Sequence, residues 1–122
     1  MKKMVKIILV GVLFSLSYFP AFSQDLTKAD PTHTSVLLDT LNVKTFLVTV
    51  HPGEKIPVHS HPVYLTYYIT GGKMSTTMNG KTSVKDIKPG TRVMHASQGP
   101  HSAETVGTTD LSFIVVEIYP KP

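Results

Sequence analysis

Regularly spaced turn signals constrain the fold of this chain more than any other sequence feature. From residue 35 onward, short runs rich in Val, Ile, Thr, Tyr and Phe are separated by pairs such as Pro52-Gly53 and Gly71-Gly72. The signals recur about every eight to twelve residues, a spacing typical of antiparallel sandwiches and barrels. No stretch after residue 23 keeps a helical period over three turns. The sequence therefore predicts a single all-β domain.

Two local patterns support this prediction. Residues 44–50 and residues 63–69 place apolar side chains at every second position, which is the period of a strand with one buried face. Asn79-Gly80 lies between two further β-prone runs and predicts a hairpin with a type I′ turn. By contrast, residues 24–34 are polar and without period, so we expect a flexible arm or a first edge segment there.

The first 23 residues have the pattern of a secretory signal peptide. Three lysines precede an apolar run of 13 residues, 7–19, and Ala21-Phe22-Ser23 follows Pro20 with small residues at a cleavage site. The alternative is a membrane anchor, but the run is shorter than the roughly 20 residues needed to cross a bilayer. We expect cleavage after Ser23 and a secreted or periplasmic protein that is not attached to a membrane. The absence of Cys excludes a lipid-modified cysteine at that point.

The remaining chain is long enough for one domain and not for two. We divide it into an N-terminal arm and first strand, residues 24–40, and a barrel, residues 41–119. Three of the 12 Lys and Arg residues lie in the signal segment, and the other nine nearly balance eight acidic residues. This balance offers no basic surface for nucleic acid. Without disulfides, so small a domain depends on a closed sheet, a metal or a partner subunit, and a homodimer is one such solution.

Three histidines form the candidate site. His59 and His61 lie two residues apart in a strand-like run, so both rings can point to one face of a sheet. His101 follows Gly99-Pro100 in a later turn-rich segment. Imidazole nitrogen is a good ligand for divalent transition metals. The alternative is that all three are ordinary polar residues of exposed turns, and His-x-His alone would not decide between the two.

At these residues the sequence resembles the cupin superfamily. In its first motif, a glycine, five residues and His-x-His correspond to Gly53, His59 and His61, and the closing glycine corresponds to Gly71-Gly72. The second motif corresponds in length to the segment from Gly90 to His101. The resemblance covers about residues 40–119. It implies a double-stranded β-helix, also described as a jelly-roll barrel, and a metal held by His59, His61 and His101.

The sequence departs from the family pattern at several positions. Leu65 or Thr66 stands where the family has a metal-binding glutamate, and neither is a strong ligand. The second motif has Ala96, Gln98 and Thr105 in place of its proline, glycine and asparagine. The resemblance then implies a site of three histidines with room for a further ligand. Its metal would be iron, zinc, manganese, nickel or copper.

Two further residues are candidates for catalysis. His95 precedes the second-motif loop and could act as an acid or base near neutral pH, or be an ordinary, partly buried histidine. Tyr67 lies an even number of positions after His61, so it points to the same face as the histidine pair if no bulge intervenes at Pro62. It could then offer its hydroxyl to a ligand or simply pack in the core. The same alternation places Tyr64 and Tyr68 on the opposite face of the strand, where they could serve a dimer contact.

Two functions follow for such a site. One is a small metal-dependent oxygenase or isomerase acting on a small organic molecule. The other is a non-catalytic module that binds a small molecule or a metal. The absence of Cys, of a Gly-x-Ser-x-Gly motif and of a phosphate-binding loop excludes the common nucleophilic and nucleotide-dependent chemistries.

Overall fold

A computed structural model of the chain describes residues 24–121, which contain one short helix and nine strands. The predicted signal peptide, residues 1–23, lies outside the described residues. The elements in chain order are α1 (Leu26–Ala29), β1 (Thr34–Thr40), β2 (Val43–Val50), β3 (Lys55–His61), β4 (Val63–Tyr68), β5 (Gly72–Met78), β6 (Lys81–Ile87), β7 (Arg92–His95), β8 (Gln98–Thr105) and β9 (Leu111–Ile118).

The strands form two antiparallel sheets. The larger sheet has the order β1-β2-β9-β4-β7, and the smaller has the order β3-β8-β5-β6. Chain neighbours such as β3 and β4 lie in different sheets, so the chain passes back and forth between the two layers. This arrangement confirms the predicted all-β, double-stranded β-helix. In residues 24–121 no helix is long and apolar enough to cross a membrane.

The core lies on the inner face of the larger sheet and follows the predicted alternation in β2, but in β4 the predicted apolar face, with Val63 and Tyr67, is the exposed one. Phe46, Val48 and Val50 of β2 are fully buried, and every second residue of that strand is partly exposed. Phe46 lies opposite Val115 and Val48 opposite Phe113 on β9, so the two strands present one continuous apolar face. Such cross-strand pairs of aromatic and β-branched residues are favourable contacts in a sheet.

The Asn79-Gly80 prediction is also confirmed. Strands β5 and β6 pair up to Met78 and Lys81, which leaves a two-residue connection. Both central residues have positive φ, 51° at Asn79 and 72° at Gly80, as a type I′ turn requires.

For residues 24–34 we expected a flexible arm or a first edge segment, and the structure shows a segment that is docked on the barrel. Asp25 caps α1 by accepting a hydrogen bond from the backbone N–H of Thr27, and Leu26 is 1% exposed within the core. The Nζ atom of Lys44 donates to the Asp25 carboxylate at 2.9 Å. A polar segment without period therefore docks on the barrel through one apolar side chain and one ion pair, which a period search does not detect.

The expected orientation of the β4 tyrosines is wrong. Tyr64 and Tyr68 are buried and face the interior, whereas Tyr67 is 42% exposed on the outer face. The chain bends at Pro62 as it leaves one sheet for the other. The alternation that points His59 and His61 inward therefore does not continue into β4. Tyr67 consequently does not project into the barrel, and Tyr64 and Tyr68 offer no external face for a dimer contact.

Candidate metal centre

The three predicted histidines meet inside the barrel. His59 and His61 lie on β3, and His101 lies directly opposite His59 on the neighbouring strand β8. All three side chains are buried, and their candidate ligand atoms lie within 4.8 Å of one another. A shift of register precedes His59 on β3, which lets Pro57 and Val58 both face outward while His59 and His61 face inward. His59 and His61 thus point to the same face of the sheet, as their i, i+2 spacing predicted.

Hydrogen bonds orient two of the rings. Nδ1 of His59 donates to the carbonyl oxygen of Pro57 at 2.7 Å, and Nδ1 of His101 donates to that of Gly99 at 2.8 Å. A carbonyl oxygen only accepts, so the proton of each neutral ring belongs on Nδ1 and the lone pair belongs to Nε2. This tautomer is the one in which Nε2 can bind a metal.

The third ring has a carboxylate as its partner. Nδ1 of His61 lies 2.7 Å from Oε1 of Glu117, whose side chain is fully buried. The Tyr119 hydroxyl donates to the other carboxylate oxygen, Oε2, at 2.6 Å. Glu117 is not among the residues predicted from the sequence, although a local signal marks it. It follows Phe113 and Val115 at period two on β9 and therefore belongs on the inner face.

Burial keeps two of the imidazoles neutral. Desolvation lowers the pKa of His59 to about 3, despite the opposing hydrogen bond to Pro57. Burial also lowers the pKa of His101. Neutral imidazole is the form that binds metals, so these two rings need not lose a proton to do so near pH 7.

A cavity of about 620 Å³ extends from the three histidines between the two sheets. His95 lines this cavity and stacks on Tyr64 with ring centroids 4.4 Å apart. Tyr64 in turn lies against His61, with centroids 4.2 Å apart, and its hydroxyl donates to Gln98. Burial, and then the nearby His61 and Lys85, lower the pKa of His95. His95 is thus placed where a ligand would contact it, while its catalytic role stays a prediction.

The structure also decides which residue stands in the place of the family's glutamate. Thr66 is buried and lines the cavity, whereas Leu65 points away from it. A hydroxyl therefore faces the interior where the family has a carboxylate.

The donor set fits a divalent transition metal. Two nitrogen ligands of one zinc ion can be at most about 4.2 Å apart, twice a bond of roughly 2.1 Å. Small ring movements would bring the three histidines, which lie within 4.8 Å, to that spacing. Three protein ligands with a further position open is the arrangement of catalytic zinc sites.

Comparisons with known proteins agree with this architecture. The family described as Cupin domain matches residues 46–117, more than half of the chain. No curated protein matches the sequence. Among solved structures, a cupin domain from Bordetella pertussis Tohama I superimposes with a TM-score of 0.67 at 19% identity, covering 71% of this chain and 92% of that one.

Two further solved structures are similar. A predicted oxalate decarboxylase from Thermotoga maritima has a TM-score of 0.56 and 26% identity, with 71% of this chain and 79% of that chain covered. A DMSP lyase from Ruegeria pomeroyi has a TM-score of 0.55 and 21% identity, with 70% and 45% covered. At 21% identity the likeness to the lyase concerns the fold alone. With the family match over most of the barrel and the same fold in these structures, this chain belongs to the cupin family.

Proposed function

We propose that His59, His61 and His101 together bind one divalent transition metal. The observation that carries this proposal is the convergence of three buried imidazoles within 4.8 Å, each with its Nδ1 held by a hydrogen-bond acceptor. Burying three polar rings side by side is costly unless their nitrogens find partners. Their hydrogen bonds orient the rings for ligation instead of pairing them with one another.

We further propose that the protein is a small metal-dependent enzyme, an oxygenase or an isomerase, that acts on a small organic molecule. The cavity beside the histidines supports this, because its volume of about 620 Å³ suits such a substrate. When bound, a metal with an open coordination position supplies Lewis acidity or, for iron or copper, redox chemistry. His95 would accept or donate a proton on the ligand, and the stack on Tyr64 would hold its ring in place.

A non-catalytic binding module is the second candidate. One observation favours it: the cavity-facing residue at the glutamate position is Thr66, so a hydroxyl stands where the family has a metal-binding carboxylate. Cupins host many functions, and the fold does not choose between these two.

The test begins with metal content. We expect protein purified from its native compartment to carry close to one equivalent of a transition metal by elemental analysis, and His59→Ala to lose it. His51→Ala is the matched control, because His51 is exposed and belongs to no metal-binding group among the described residues. Equal metal content in wild type and His59→Ala would refute the metal proposal. Bound metal without turnover of any substrate would favour the binding module.

We also propose that the protein is exported. The support is the sequence pattern of residues 1–23, with its lysines, apolar run and small residues before Gln24. The intact mass of protein from the producing cell should correspond to a chain that starts at Gln24. A mass that includes Met1 to Ser23 would refute the proposal.

A further inference from the structure

The cavity beside the histidines has two chemically different regions. Its polar region holds the three histidines with Tyr64, His95 and Gln98. Its apolar walls come from both sheets. They are formed by Ile56, Tyr68, Met74, Phe113 and Val115. Uncharged polar side chains also line the cavity, namely Thr66, Thr76, Asn79, Thr82, Ser83 and Thr91. A ligand with one end at the histidines would therefore lay the rest of its surface against uncharged side chains, most of them hydrocarbon, aromatic or hydroxyl-bearing.

The charged residues that line the cavity are few and exposed. Among the described residues that line it, the only Lys, Arg, Asp or Glu residues are Lys81, Lys85 and Asp86. All three are exposed and belong to the edge strand β6. The apolar walls thus provide no buried partner for a charge on the body of a ligand, and an unpaired charge buried there would be costly.

The metal site itself favours a single negative charge. Three histidines would leave both positive charges of a divalent metal uncompensated by its direct ligands. Glu117 lies just behind His61 and offsets one of them. One unit of positive charge then remains for the ligand to neutralise.

We propose that the cavity takes a small organic monoanion with an apolar body, its carboxylate or similar oxyanion at the metal and its body against Met74, Phe113 and Val115. This inference rests on the metal site proposed above. The proposed ligand differs from a short dianion such as oxalate, which has no apolar body to bury.

The experiment compares two ligands of equal length. Hexanoate has one carboxylate and a methyl end, whereas adipate has a carboxylate at both ends. For full-length mature protein loaded with zinc, titration calorimetry should show hexanoate binding about tenfold or more tightly than adipate. Affinity should also rise roughly fourfold for each methylene from acetate to hexanoate, as apolar surface is buried. Equal or tighter binding of adipate, or no dependence on chain length, would overturn the inference.

A pair of variants locates the effect. Met74→Lys places a cation on the inner wall, where partial exposure leaves room for its ammonium group, and should shift the preference toward adipate. Met94→Lys makes the same change at a residue that is 58% exposed and does not line the cavity, and should leave the preference unchanged. The same shift in both variants would contradict the assignment of the cavity wall.

Failure of this inference can be told from failure of the metal proposal. Wild-type protein that takes up no zinc would overturn both. Zinc uptake that is lost in His59→Ala, together with a preference for adipate, would leave the metal site standing and overturn only the ligand class. The wild-type ligand series needs neither methionine variant, so it decides the matter even if Met74→Lys fails to fold.

Discussion

Oε1 of Glu117 lies 2.7 Å from Nδ1 of His61, and both side chains are buried. The pair joins β9 of the larger sheet to β3 of the smaller sheet at the histidine cluster. A carboxylate behind a ligating histidine fixes the ring's tautomer and increases its basicity. If a metal binds at His61, Glu117 would supply through that ring part of the negative charge that the family's glutamate would supply as a direct ligand.

Replacement of Glu117 by Gln should weaken metal binding. The variant keeps the shape of the side chain but loses its charge, and we expect zinc affinity to fall about 10- to 100-fold, as for other partners of metal-binding histidines. Competition titration against a chromogenic chelator measures this loss. Glu104→Gln removes the same charge from a partly exposed position of β8 and should change the affinity little. Equal losses in the two variants would point to a general charge effect instead of the His61 contact.

Truncation of Leu26 tests whether the N-terminal segment is part of the folded domain. Leu26 is 1% exposed and packs in the core, so Leu26→Ala should lower the free energy of unfolding by about 2–5 kcal/mol. Leu37→Ala, at a residue that is 55% exposed, should change it by less than about 0.5 kcal/mol. Urea unfolding monitored by tyrosine fluorescence gives both values. Similar, small effects would show that the segment does not dock in solution.

Leu41 is strained in the turn between β1 and β2. It lies in a two-residue connection between the paired residues Thr40 and Val43, has φ of 55°, and is 99% exposed. Leu41→Gly relieves the left-handed conformation without loss of packing and should raise the free energy of unfolding by about 1 kcal/mol. Leu41→Ala retains a Cβ atom and should bring no such gain. An unchanged urea midpoint in the glycine variant would contradict the strain.

His33 links the N-terminal segment to the barrel in a manner that depends on pH. Its Nδ1 lies 2.7 Å from the carboxylate of Asp30 and its Nε2 lies 2.9 Å from that of Glu54. Burial alone would lower the pKa of His33, but hydrogen bonds and charge from the two carboxylates raise it above the ordinary value of 6.5. The stabilisation is therefore complete below about pH 6.5 and is lost as the pH rises through the pKa of the folded state.

We expect metal-free wild type to exceed His33→Gln in free energy of unfolding by up to about 1 kcal/mol at pH 6, and by less at pH 9. Denaturant titrations at both pH values measure the difference. His51→Gln is the control, because the His51–Asp110 pair is more than half exposed and should contribute less. A wild-type advantage that grows with pH would refute the proposed charge state of His33.

Much of the fold could be predicted because its signals are local. The alternation of Phe46, Val48 and Val50 and the Asn79-Gly80 turn depend on residues adjacent in the chain. The histidine trio was found in the same way, from an i, i+2 pair and motif spacing. The orientation of Tyr64 and Tyr67 could not be predicted in this way, because it depends on how the chain bends at Pro62 between two sheets.

The class of fold, the three histidines and the family could all be predicted from the sequence, because periodicity, turn chemistry and motif spacing are properties of the chain. The groups that surround those histidines are set by tertiary contacts. Glu117 lies 56 positions from His61, and Gln98 lies 34 positions from Tyr64, so neither contact leaves a local trace. Such contacts arise when strands from distant parts of the chain are brought into register. That register sets the partners of the histidines, the shape of the cavity and the docking of Leu26.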